Sequence, residues 1–501
     1  MQRTAPSPLF FPRHSRLRPG FSTLWVLACL AGLGPLSTLL PPGWFPDAHA
    51  AVDRSVKPEP GPAPAASFPE FKDVTLSNGL RVFIIQDDRR PMVAFRLLIK
   101  SGSASDGAKP GTASLTASML NRGTRTRSAL EFAKESDFLG ATLESRPTPD
   151  SISLAASALN RYSEKLLDLL SDAVRNPVFN EDQLGKLRKL ALSNLEAQKQ
   201  QPAALLSKLV GKLVYGSHPY GQTTTAESLQ AIERADLVAF HSLHFRPNNA
   251  TLAVVGDCDP RQILQLVEKA FGSWEKAAVP AHPQVPPPSP KGISVHLIDR
   301  PGSVQSNIAV CRPGPARNTP DLPEVIVLTA TLGGSASGRL YQNLRETHGW
   351  TYGAYSAFDP RRAAGSFEAT AETRNEVTAP AVEEILKEIR RIRTEAVPEK
   401  ELSLQREFNV GNYLPSLEKS DRTAQRVQDI DQYGLPPDFY KHYARRMGSV
   451  SPELLQKTAQ THLDADNAFI VVVGEAKEVR PSLEKFGPVT TYDTDLKPVT
   501  P

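Results

Sequence analysis

Ser114 and Ser118 stand four residues apart in Gly111-Thr-Ala-Ser-Leu-Thr-Ala-Ser-Met-Leu120, with Ala117 just before the second serine. Residues four apart share a helix face, so this stretch offers two hydroxyls to one point in space. A serine becomes a nucleophile only beside a base that takes its proton, and the sequence names no such base. His241 and His244 stand three apart, a spacing that suits metal ligands. His244 has a counterpart, His462, in a similar segment, which explains both better as repeated fold positions than as ligands. His218 lies in the proline-containing loop Tyr215-Gly-Ser-His-Pro-Tyr-Gly221 and reads as structural. Gly333-Gly-Ser-Ala-Ser-Gly338 leads into Arg339. No Lys-Ser/Thr follows these glycines, so they make no phosphate loop, and conformational freedom is their expected use.

Two similar halves must position these residues. His244-Phe-Arg-Pro-Asn-Asn-Ala-Thr-Leu-Ala-Val-Val-Gly256 matches His462-Leu-Asp-Ala-Asp-Asn-Ala-Phe-Ile-Val-Val-Val-Gly474 at a shift of 218 residues. The same shift relates Asn180-Glu-Asp-Gln-Leu184 to Pro398-Glu-Lys-Glu-Leu402. A period this long is no solenoid; it implies a duplicated domain. Strands are expected at Arg81–Ile85, Val93–Lys100, Ile152–Ala158 and Ser366–Ala371, and helices at Tyr162–Arg175 and Val382–Ile392. The mixture predicts an α+β fold of two homologous domains, each a mainly antiparallel sheet with packed helices. The expected boundaries are 70–277 and 292–490, joined by a proline-rich linker at 278–291 and followed by a tail at 491–501.

The first fifty residues read as a secretory signal, with a retained membrane anchor as the alternative: Arg3, Arg13, Arg16 and Arg18 precede an apolar run from Phe21 to Leu40, and Ala48-His49-Ala50 is the cleavage signal. Residues 51–69 read as a flexible lead-in. The whole chain is +4, of which the first fifty residues supply +3, leaving +1. No basic cluster with interleaved aromatics occurs, which argues against a nucleic-acid partner. No later segment is long and apolar enough to predict a stable membrane span after signal cleavage. Cys258 and Cys311 alone follow the signal, so a disulfide framework is not expected.

The chain resembles the insulinase–pitrilysin family of zinc peptidases, known by an inverted H-x-x-E-H motif. The resemblance rests on Leu76-Ser-Asn-Gly-Leu80, Gly111-Thr-Ala113, the Tyr215–Gly221 loop, His244–Asn249, Val254-Val-Gly-Asp257, Gly333-Gly, Arg339-Leu340, Leu344-Arg-Glu346 and Gly349-Trp-Thr-Tyr-Gly353, in that order. It implies the metalloenzyme fold of the insulinase and mitochondrial processing peptidase type. The family's two ligand histidines fall on Ser114 and Ser118, its general-base glutamate on Ala117, and its third ligand on Asn194. Hydroxyls and an amide are poor zinc ligands beside imidazole and carboxylate, and alanine moves no proton. No cofactor is therefore expected in this chain, with zinc only in a partner.

The resemblance also implies that Arg339 and Tyr352 match a pair that handles substrate across the cavity. A guanidinium and a phenol suit a carbonyl oxygen that becomes an oxyanion. Some family members divide the labour between a zinc-bearing subunit and a partner that supplies this pair. The expectation is a non-catalytic subunit of an exported, periplasmic peptidase heterodimer acting on peptides. The alternatives are a scaffold of the same fold with no role in proteolysis, or a hydrolase with a different mechanism.

Overall fold

The computed structural model describes residues 67–282 and 285–499. The expected signal and most of the lead-in lie outside the described residues. Among the described residues twelve strands form two six-stranded sheets. In the first half they are β1 (Lys72–Thr75), β2 (Arg81–Gln86), β3 (Met92–Ile99), β4 (Thr142–Pro147), β5 (Ile152–Leu159) and β6 (Ala250–Gly256). In the second they are β7 (Ser294–Asp299), β8 (Gln305–Gly314), β9 (Ala354–Asp359), β10 (Gly365–Arg374), β11 (Phe469–Gly474) and β12 (Val489–Tyr492).

The sheet orders are β1-β2-β6-β3-β5-β4 and β12-β7-β11-β8-β10-β9. Five of the six places correspond in sequence order, and only the edge strands β1 and β12 differ. Most neighbours are antiparallel; β2 with β6, and β7 with both β11 and β12, are parallel. The two halves are one topology written twice.

Local chemistry explains the joints. The β1–β2 hairpin turns at Gly79, whose φ of +92° is open to glycine at little cost. Asn78 beside it donates to the carbonyls of Phe271 (2.7 Å) and Trp274 (3.1 Å), tying the hairpin to the end of helix Pro260–Phe271. Asn180 caps helix Glu181–Lys199 by accepting from Asp182 and Gln183 N–H groups. The shift of 218 carries helix Glu181–Lys199 onto Glu399–Ser416, and helix Arg234–His244 onto Pro452–His462. His244 and His462 each end a helix just before the matching strands β6 and β11. His462 bonds Asp321 at 2.7 Å, and His244 is buried beside Phe240; both are fold positions.

The same shift carries helix Pro202–Tyr215 onto Ser420–Tyr433, and these two change sides. Helix Ser420–Tyr433, from the second half, lies on β6 and β3 of the first. Helix Pro202–Tyr215, from the first half, lies on β11 and β8 of the second. Strand alternation makes this possible. On β2 and β6, Val82, Ile84, Leu252 and Val254 point to their own half's core, while Phe83, Ile85, Ala253 and Val255 join the second half's core. Leu205, Leu209 and Val210 pack with Ile298, Ala309 and Val471. Gln428, fully buried, donates its amide to the carbonyls of Arg96 (2.8 Å) and Thr251 (3.0 Å), and Asp431 pairs with Arg81 (2.7 Å) and Lys100 (3.0 Å).

At the ends, Phe68 is buried against Tyr440 with ring centres 5.4 Å apart, and Asp495 pairs with Lys199 at 2.8 Å. Cys258 and Cys311 are free thiols. No helix among the described residues is long and apolar enough to cross a membrane.

Candidate functional site

Helix Thr112–Met119 begins at Gly111, whose φ of +108° and tight approach to Thr224 exclude a side chain. Asp106 accepts from the N–H groups of Gly111 and Ala113, each at 2.7 Å, and so holds the helix start. Ala113 and Ala117 face the core of the first half, and Leu115 and Met119 face helix Glu181–Lys199. That leaves Ser114 half-buried and Ser118 exposed on the remaining face.

The residues expected at the four zinc-site positions do not fit zinc. The Ser118 hydroxyl donates to the Ser114 carbonyl at 2.9 Å. Ala117 brings no donor atom, and its carbonyl accepts from the Ser145 hydroxyl on β4 at 2.7 Å. Asn194 is exposed on helix Glu181–Lys199, and nearby Glu196 pairs with Lys199 at 3.0 Å rather than turning to the serines. Among the described residues no three His, Cys, Asp or Glu side chains form a group that could hold a metal.

The histidines take structural places. His241 bonds the Val174 carbonyl at 2.7 Å and stacks on Phe245. Burial pushes its pKa down to about 4, so it is neutral at ordinary pH. His218 is buried and accepts from the Tyr220 N–H at 3.0 Å.

In the second half, Arg339 opens the short helix Arg339–Tyr341, with its side chain only 7% exposed. Its Nε and Nη2 grip the two Glu401 carboxylate oxygens at 2.6 and 3.2 Å, while Nη1 is buried without a partner. Glu401 lies in the first turn of helix Glu399–Ser416. One turn on, fully buried Gln405 bonds Ser335 (3.1 Å) and Ser337 (3.0 Å) and so fixes the glycine loop. The freedom expected of those glycines is not their role. Gly333 (φ −170°) and Gly338 (φ −71°) adopt angles open to other residues. A Cβ on Gly333 would come within 2.6 Å of the Ser356 nitrogen, and one on Gly338 within 2.9 Å of Gly333. The glycines are there because the chain passes too close for side chains.

Tyr352 lies ahead of β9 and is 88% exposed. No hydrogen bond joins it to Arg339. Arg345 connects their neighbourhoods, bonding the Tyr341 hydroxyl and, at 3.0 Å, the Tyr352 carbonyl. The serine helix packs against elements of the first half, and the Arg339 segment against elements of the second.

Two family models match in tandem: Insulinase (Peptidase family M16) over residues 81–228, and Peptidase M16 inactive domain over residues 231–408. Together they take in well over half of the chain. This chain belongs to the insulinase family, peptidase family M16. An uncharacterized zinc protease of Mycobacterium leprae is 28% identical over 289 residues, 57% of this chain and 65% of that protein. The chain therefore spans just under two thirds of that relative's length. An uncharacterized zinc protease of Mycobacterium tuberculosis is 25% identical over 423 residues, 83% of this chain and 96% of the relative. The crystal structure of a peptidase M16 inactive domain from Pseudomonas fluorescens superposes with a TM-score of 0.76 at 27% identity, covering 81% of this chain and 98% of that one.

In this M16 chain, sequence reasoning missed Glu401. The signal was in the repeat. At the shift of 218 its counterpart is Gln183, neutral where the second copy is charged.

Proposed function

We propose that this chain is the non-catalytic subunit of an exported zinc peptidase pair, and that it brings Arg339 and Tyr352 to peptide held at a partner's metal. The observation that carries the reading is an asymmetry between the halves. The helix that should hold zinc donors presents Ser114, Ala117 and Ser118, whereas Arg339 is kept, desolvated and held by a carboxylate fork. A guanidinium fixed in this way loses little freedom on meeting a carbonyl oxygen, which is the condition for stabilising developing charge. The partner in this reading is an insulinase-family subunit that carries H-x-x-E-H. Export is supported by the arginine-rich start, apolar run and Ala48-His49-Ala50 of the sequence.

The test is a tagged chain pulled from its native envelope, followed by identification of what accompanies it and a zinc-dependent peptidase assay of the complex. The expected result is an H-x-x-E-H subunit, with activity in the pair and none in the isolated chain. Arg339→Ala should lower kcat/KM of the pair by about 100-fold, the scale of one lost oxyanion donor. Ser114→Ala should change it less than about twofold. Robust zinc-dependent cleavage by the isolated chain would sink the proposal.

One observation favours a second reading, a scaffold outside proteolysis. Arg339 is 93% covered and already bound to Glu401. In that reading Arg339→Ala weakens the fold and leaves the partner's kcat/KM untouched.

A further inference from the structure

A cavity of about 590 Å³ lies in the first half where three helices end, at Arg175, His244 and Phe271. Four arginines line it, Arg125, Arg175, Arg234 and Arg246, against one carboxylate, Glu275. None of the four forms an ion pair with any carboxylate among the described residues. Elsewhere in the same half, Arg127 alone contacts three: Glu135, Asp168 and Asp172.

Three of the guanidinium groups are held in place by neutral acceptors. Arg125 donates to Asn176 Oδ1 (2.6 Å), Arg175 to the Ala270 carbonyl (2.6 Å) and Ser273 Oγ (2.9 Å), and Arg234 to the Phe179 carbonyl (3.0 Å). Among the described residues Arg246 finds no side-chain hydrogen-bond partner, and its Nε is buried without one.

The plain explanation of arginines here is that they neutralise helix C-termini. Magnitudes show that this is incomplete. Each C-terminus carries about −0.5 charge, so three supply about −1.5. The lining side chains carry +3, and about +1.5 is left over. The neighbouring groups respond to this field. Burial and then Arg125 make the Arg175 guanidinium less basic, and Arg246 and Arg125 add to the burial that keeps His241 neutral.

We propose that this cavity is a binding site for a phosphoryl group. A phosphoryl group carries about −1.5 to −2 charge, which matches the excess, whereas one carboxylate supplies only −1. Guanidinium forks fit its oxygens in pairs. Buried Phe245 and Trp274 form an apolar wall beside the arginines, with room for what the phosphoryl group is attached to. The group is a phosphomonoester, which can arrive on a soluble phosphate or on a lipid headgroup that ends in one, and the site is independent of any peptidase partner.

The test is calorimetric titration of the full chain with inorganic phosphate at constant ionic strength, beside co-sedimentation with phosphatidic acid and phosphatidylcholine vesicles. The expected result is saturable binding at one per chain, weakened about tenfold or more in Arg246→Gln and in Arg125→Gln. Arg390→Gln, at an exposed pair with Asp466 in the second half, should bind as the parent does. Circular dichroism and melting establish that each variant is folded; Arg246 has no hydrogen bond to lose, so its variant should be. Binding to phosphatidic acid vesicles that falls in the same variants assigns the headgroup, and binding to inorganic phosphate alone assigns a soluble phosphate. No saturable binding to either, or binding unchanged in both arginine variants, overturns the site.

Discussion

At Arg339 the side chain is held so tightly that its partner can be tested without any substrate. Removing one member of a fully buried ion pair costs about 3–5 kcal/mol, because the other is left charged and dry. Glu401 is 28% exposed, so Glu401→Gln should cost less, about 2–3 kcal/mol by urea denaturation. The double change Arg339→Met with Glu401→Leu should recover most of that loss. A single and a double variant equally unstable would mean that the pair is not what holds this corner. The sequence named Arg339 because a family motif passes through it. It did not name Glu401, because a carboxylate in a helix's first turn is an ordinary thing. Only the fold shows that it turns inward.

Asp106 belongs to the same scale. Burial pushes its pKa up to about 6, against the two N–H groups that favour its charged form. Its folded value lies above its ordinary one, so folding favours the neutral acid. That contribution is complete below about pH 4 and is lost as pH rises through 6. Asp106→Asn removes the dependence, and relative to the parent the variant should gain about 1–3 kcal/mol between pH 4 and 7. Parallel stability curves for the two proteins would refute this assignment.

Among the elements, the strands and helices expected from periodicity are present, and the shift of 218 fell on helix starts because it was read from caps and strand ends. What periodicity could not show is where a helix lies. The apolar face of Pro202–Tyr215 says that it must be covered, not that the covering sheet belongs to the other half. Leu209 is fully buried beneath that sheet. Leu209→Ala should cost about 2–5 kcal/mol, although its own half contributes none of the strands it touches. Val427, buried on the reciprocal helix, should behave alike when cut to alanine. A cost below about 0.5 kcal/mol at both positions, the range of exposed sites, would show that these helices do not carry the interface. The glycine loop misled for a related reason. Glycine in a sequence announces either freedom or a close approach, and only the neighbouring Ser356 tells which.

Over the whole molecule, reciprocal covering makes the halves one thermodynamic body. Calorimetry should record a single transition, not two, since neither half keeps its core when the other opens. Cutting the proline-rich linker within residues 285–291, where no helix or strand is present, should leave both fragments migrating together. Two separable transitions, or fragments that part without denaturant, would contradict the reciprocal packing. The duplicated plan was legible from the repeated strand-and-glycine segments. The zinc-site positions expected at Ser114, Ala117, Ser118 and Asn194, and the substrate-handling role expected of Arg339 and Tyr352, came only through family likeness.

The exchange of helices Pro202–Tyr215 and Ser420–Tyr433 also bears on what one half would do by itself. Residues 67–277 alone would own a helix with no sheet beneath it and a sheet missing one covering helix. Each deficiency is the complement of the other. Two copies of the fragment can therefore satisfy one another across a twofold axis, each lending its helix to the other's strands, as in a domain-swapped dimer. The join at 278–291 is, in those terms, a covalent tie between two such protomers. Once tied, the two copies need not stay alike, and residues at corresponding positions, such as Gln183 and Glu401, differ.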